Sequence, residues 1–177
     1  PRARTRGSEP TASGFAGPSV AEQAIGFTLA VARRLQEGGR RERRREWRSY
    51  PAFDLAGSTV TVVGLGAIGQ AIVERLDGFD VDTIGVRHSP SKGGPTDKIL
   101  GYDDFDEALA RSDYLLLTCP LTDTTRHLLD ETALGILPPE AVVVNVARGE
   151  VIETDALVSA LRGARIRGAA LDVTDPE

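Results

Sequence analysis

The chain has no methionine and a single cysteine, Cys119, in 177 residues. One cysteine excludes an internal disulfide and suits a reducing compartment, so the expected location is the cytoplasm. No run of about 18 apolar residues occurs, which excludes a membrane-spanning helix. No signal-peptide pattern is visible either. His88 and His127 are the two histidines, and neither has metal-ligand spacing around it, so no metal site is expected.

What is present fits one globular domain: 41% hydrophobic and 27% charged residues over a length that can build one good core. Charge is uneven. Residues 1–50 hold 11 Arg and 5 Glu, a net of +6, and the remainder carries a net of −11. Glu42 and Glu46 interrupt the run from Arg40 to Arg48, as on a solvated, ion-paired helix face. No nucleic-acid reader motif accompanies the charge, so nucleic acid is not expected as a partner.

Thr59 to Gln70 organises the chain. Val60, Val62 and Val63 suit a buried parallel strand. Gly64, Gly66 and Gly69 follow in G-x-G-x-x-G spacing, and Ala71 to Leu76 continue as a helix. Gly64 permits the tight turn, Gly66 lets the backbone approach a pyrophosphate, and Gly69 lets helix and strand pack closely. The helix start offers unpaired N–H groups to phosphate. A dinucleotide-binding turn is the reading.

In chain order, residues 1–18 read as a linker. Ser19-Val20-Ala21-Glu22 reads as a capping-box start. A helix follows with Ala21, Ile25, Thr28, Leu29, Ala32 and Leu35 at helical spacing, stopped or kinked at Gly38-Gly39. From Leu55 strands and helices alternate. Strands are expected at Val81–Val86, Tyr114–Leu117, Ala141–Val146 and Arg165–Val173. Short helices are expected after a cap at Asp104-x-x-Glu107, over Asp130–Leu134 and over Thr154–Leu161. The alternation predicts an α/β fold, a Rossmann-type doubly wound parallel sheet with helices on both faces. Ligands on such sheets bind beyond the carboxyl ends of the strands. Arg148 stands at one such end, where its planar fork either holds a carboxylate or pairs with Glu150 or Glu153; spacing leaves both open. Cys119 reads as a packing residue at the cofactor pocket.

These residues converge on a family. The chain resembles the D-isomer-specific 2-hydroxyacid dehydrogenases over about residues 11 to 177. Gly17 to Glu22 with Ala32-Arg33-Arg34 is similar to the helix that crosses between the family's two domains. Gly64 to Gly69, with Ala67 and Ile68, is similar to its cofactor loop. Cys119-Pro120-Leu121-Thr122 with Thr125 is similar to its Pro-Leu-Thr segment. Asn145 to Glu150, including Val146 and Ala147, and Gly168 to Val173 are similar to its two signatures.

The resemblance implies an enzyme that interconverts a small 2-keto acid and its D-2-hydroxy acid with NAD(P). It implies that Arg148 holds the substrate carboxylate and Asp172 the nicotinamide carboxamide. Glu177, 29 positions after Arg148, matches the catalytic glutamate that keeps a histidine protonated. That histidine is expected beyond Glu177 and most of the substrate domain outside these residues. Residues 19–177 are then the NAD(P)-binding domain, with 19–48 a crossing and dimer helix and 55–177 the core, and unable to turn over alone. A homodimer is implied. A formate dehydrogenase is expected to carry Gln at position 177, and a cofactor-sensing corepressor of the same fold is the alternative from a different class.

Cofactor preference is read at the end of the second strand, where NAD-preferring relatives place an aspartate. Here Arg87 stands 23 residues after Gly64, and no carboxylate follows before Asp97. His88, Ser89, Ser91 and Lys92 are donors to a phosphate. NADP(H) is therefore expected in preference to NAD(H), through Arg87 with Ser89 assisting; an Arg87 that stacks on adenine would accept both.

Overall fold

The computed structural model describes residues 12–176. Helix α1 (Ala12–Ala32) and helix α2 (Leu35–Arg43) precede an alternating series: β1 (Thr59–Val63), α3 (Ala67–Leu76), β2 (Asp82–Val86), β3 (Lys98–Leu100), α4 (Phe105–Ala110), β4 (Tyr114–Leu117), α5 (Glu131–Ile136), β5 (Val142–Asn145), α6 (Thr154–Arg162) and β6 (Gly168–Leu171). All pairings are parallel, in the order β3-β2-β1-β4-β5-β6. The order reverses between β1 and β4, which opens a crevice beyond their carboxyl ends.

Side chains alternate between the two faces because successive strand residues point oppositely. Val63, Leu115, Leu117 and Val143 enter one buried cluster with residues of α4, α5 and α6, while Val60, Val62, Tyr114, Leu116, Val142 and Val144 enter the other with α1 and α3. Both faces are covered, as the near-continuous apolar strands require. On α1 the fully buried positions are small, Ala21, Ala24, Thr28 and Ala32, so the helix lies close to the sheet. The Thr28 hydroxyl donates back to the Ala24 carbonyl at 2.8 Å, which satisfies it inside the core.

Four local expectations are corrected. The linker over 1–18 falls largely outside the described residues, but from Ala12 the chain is helical. Pro18 removes one hydrogen bond while its fixed φ remains helical, so Ser19 sits within the helix and caps nothing. The break comes at Arg34 (φ 51°, ψ 42°), ahead of Gly38-Gly39. The irregular segment at Phe53 docks there, its N–H donating to the Ala32 carbonyl at 2.9 Å. Gly38 lies inside α2, where a Cβ would overlap the Tyr50 hydroxyl. Asp104 precedes α4 without capping it, and Glu107 instead pairs with Lys98. Strand β3 was not expected at all. Its three residues follow Pro95 and are anchored by Asp97, whose carboxylate accepts from Thr83 N and Oγ1 at 2.8 and 2.7 Å. These hydrogen bonds from Thr83 hold the Asp97 carboxyl below its ordinary range.

Candidate functional site

The three glycines of the β1–α3 turn meet different surroundings. Gly64 has φ +100°, and a Cβ there would lie 2.7 Å from the Cys119 backbone. At Gly69 a Cβ would overlap the Gly64 carbonyl oxygen. At Gly66 it would meet nothing within 4 Å. Gly64 and Gly69 are thus required by the protein itself, whereas the open face at Gly66 admits a group from outside. No side chain caps α3, so its first-turn N–H groups are available to an anion. Thr118 at the end of β4 donates to the Gly64 carbonyl at 2.6 Å and holds the turn against the neighbouring strand.

A groove of about 480 Å³ opens beside this turn, beyond β1, β2 and β4. Gly64 and Gly66 form its floor. Arg87, His88, Ser89 and Lys92 form one wall, and Tyr102, Pro120, Thr122 and Thr125 the other. Among the described residues no acidic side chain lines it. Asp97 is engaged with Thr83 near the opposite end of β2. The Arg87 guanidinium donates to the Gly93 carbonyl at 2.5 Å, and its backbone N–H donates to Leu100 at 3.1 Å, so its base is fixed to the loop after β2. An open glycine, unpaired helix N–H groups and two cations without a carboxylate fit a phosphate-bearing cofactor.

On the opposite wall, Thr125 is buried and donates to the Pro120 carbonyl at 2.6 Å while accepting from Thr122 N at 2.8 Å. It shapes the Pro120–Thr125 loop. Cys119 is buried, and burial pushes its thiol up to about 11. At neutral pH it is a thiol and a poor nucleophile. Burial likewise raises the Tyr102 phenol.

A second group of residues gathers beyond β5 and β6. Val146 and Ala147 are buried, and Arg148 is exposed. Arg148 Nη1 donates to the Ala147 carbonyl at 2.6 Å, and among the described residues it has no carboxylate partner. Glu150 lies 4.0 Å from Arg126, and Glu153 leads into α6. The pairing alternative for Arg148 therefore has no support within residues 12–176. Asp172 is exposed, and its N–H donates to the Asn145 carbonyl at 2.9 Å. A Cβ at Gly149 would overlap Thr174, so the loops after β5 and β6 touch. Glu177 lies outside the described residues.

Gly64, Gly66, Arg87, His88, Ser89, Pro120 and Thr125 are thus brought to one groove, while Ala67, Ile68 and Gly69 start the helix behind it. Arg148 and Asp172 line no part of that groove and stand at the neighbouring strand ends. Sequence reasoning left Tyr102 and Thr124 out of the site. Tyr102 follows the unexpected strand β3, and only that strand's position brings it to the groove.

The family model of the D-isomer specific 2-hydroxyacid dehydrogenase, NAD binding domain, matches residues 25–177. The glyoxylate reductase of Thermococcus onnurineus is 38% identical over 170 residues, which is 90% of this chain and 50% of that protein. An NAD-dependent formate dehydrogenase from Staphylococcus aureus in complex with NAD superimposes with a TM-score of 0.85 at 33% identity, covering 91% of this chain and 50% of that one. An acyclic imino acid reductase (Bsp5) in complex with NADPH and D-Arg superimposes with a TM-score of 0.82 at 30% identity, covering 90% and 52%. The chain spans about half the length of these relatives. With its glycine turn, its crevice at the strand reversal and its groove beside it, the chain belongs to the D-isomer specific 2-hydroxyacid dehydrogenase family, whose NAD-binding domain it matches.

Proposed function

We propose that the protein containing this chain reduces a small 2-keto acid to its D-2-hydroxy acid, with NADP(H) preferred over NAD(H). The observation that carries the reaction class is Arg148, a guanidinium at the end of β5 without a carboxylate partner among the described residues. Its fork suits a substrate carboxylate and the adjacent carbonyl oxygen. Asp172, tied to the end of β5, is assigned to the nicotinamide carboxamide. Glu177 is assigned to hold a histidine protonated so that it gives a proton to the ketone oxygen. The reduced cofactor, when bound, supplies the hydride. Turnover of glyoxylate or hydroxypyruvate by the full-length protein tests the reading, and no turnover of any small 2-keto acid opposes it.

Cofactor preference rests on the wall after β2. Arg87, Ser89 and Lys92 face a groove that no carboxylate lines among the described residues, which suits a ribose 2′-phosphate and leaves the ribose hydroxyls without the usual acidic acceptor. The imino acid reductase complex with NADPH and the formate dehydrogenase complex with NAD mark the two possibilities within similar folds.

A second copy of the chain is the proposed partner. α2 buries no residue, and Trp47 beyond it is fully exposed at 101%. Arg41 stacks 5.0 Å from the Tyr50 ring and donates to the Ser49 carbonyl at 3.3 Å, which ties α2 to the segment that follows it. The lone buried thiol suits a reducing cytoplasm. No described helix is long and apolar enough to cross a membrane.

A further inference from the structure

Asn145, the last residue of β5, is almost fully buried at 1% exposure. All three of its outward polar groups are engaged, and each holds a different part of the substrate side of the site. Its side-chain oxygen accepts from Ala147 N at 2.9 Å. Its side-chain NH₂ donates to the Arg148 carbonyl at 2.9 Å. Its backbone carbonyl accepts from Asp172 N at 2.9 Å. The two side-chain bonds fix the amide orientation, since only the oxygen can accept from Ala147. Gly149 then presses against Thr174, so the turn made by Asn145 also sets the loop after β6.

We propose that Asn145 is the positioning residue of the active site, aligning the Arg148 guanidinium with Asp172 by clamping the 145–148 turn. The proposal rests on the reading that Arg148 holds the substrate. A buried residue could instead serve general stability. The side-chain bonds argue otherwise, because both run within the 145–148 turn, to Ala147 and Arg148, while the carbonyl bond to Asp172 continues the β5–β6 pairing. A displaced Arg148 backbone moves its fork off the line a bidentate contact needs. An aspartate at position 145 keeps the bond from Ala147 but sets a second acceptor against the Arg148 carbonyl, so the turn must open.

The test uses the full-length protein with glyoxylate and hydroxypyruvate as probes. Asn145→Asp, Asn145→Ser, Arg148→Lys and the double variant Asn145→Asp/Arg148→Lys are compared with wild type. The expected result is a KM for the keto acid raised by about tenfold or more in both Asn145 variants. Cofactor Kd should stay within about threefold, because the glycine turn lies on another strand and Asp172 is held by the Asn145 backbone carbonyl, which these substitutions keep. The double variant should lose little more than Arg148→Lys alone, as expected when one residue acts through the other. Fully multiplied losses, or Asn145 variants within about twofold of wild type, overturn the proposal while leaving the role of Arg148 intact. Loss of cofactor binding or of folding in both Asn145 variants assigns the residue to general structure and also overturns it. An unimpaired Arg148→Lys variant sinks the functional reading, and this proposal with it.

Discussion

The Cα of Gly69 faces the carbonyl oxygen of Gly64 so closely that a methyl group between them would overlap it. Gly66, midway, faces open space. The two substitutions should therefore separate stability from binding. Gly69→Ala is expected to cost about 1–3 kcal/mol through overpacking against backbone, lowering Tm by several degrees. Gly66→Ala should keep Tm near wild type while weakening cofactor binding, since its Cβ occupies the open approach to the turn. Calorimetry and cofactor titration of both variants check this, and an equal effect on Tm would contradict it.

Arg148 should not tolerate lysine. An ammonium carries the charge but not the planar fork. A charged hydrogen bond is worth about 1.5–3 kcal/mol, roughly a 10- to 150-fold loss in kcat/KM. Steady-state kinetics of Arg148→Lys in the full-length protein measure it, and a value within about twofold of wild type would make Arg148 structural.

Cys119 should resist alkylation at neutral pH in the folded protein. Burial raises its thiol from 9.0 to about 11. The folded state therefore keeps a proton that the unfolded chain loses first. This contribution to stability is complete below pH 9 and is lost as pH rises toward 11. Iodoacetamide labelling against pH, with mass detection, should show the onset displaced upward relative to the protein in denaturant. Superimposed profiles would contradict the burial account.

Trp47 should anchor the proposed dimer. An exposed tryptophan next to Arg48 matches the residues that dominate interfaces. The full-length protein should run as a dimer by light scattering, and Trp47→Ser should weaken association by at least about 2 kcal/mol. A monomeric wild type at micromolar concentration would count against this segment as an interface.

Much of this was legible in the sequence because the sheet's apolar strands and the glycine spacing are local signals. Tyr114–Leu117 and Thr59–Val63 fall where β-branched or aliphatic runs put them. The helix break at Arg34 was not legible, because it depends on Phe53 docking against Ala32 from 21 residues away. β3 was missed because three residues carry too little periodicity, and its anchor is a tertiary bond from Asp97 to Thr83. Asn145 was visible only as a letter in a motif. Its role needed the geometry of Ala147, Arg148 and Asp172 around it.

The account turns most directly on the wall after β2, where Arg87 is fastened to Gly93 and no acidic side chain among the described residues lines the groove. Titrating the chain with NADPH and NADH under identical conditions measures it. Tighter binding of NADPH by about tenfold or more is predicted, from one or two charge-assisted contacts of about 1.5–3 kcal/mol each. Arg87→Asp should reverse the order. Equal affinities, or tighter binding of NADH by the wild type, would contradict the assignment.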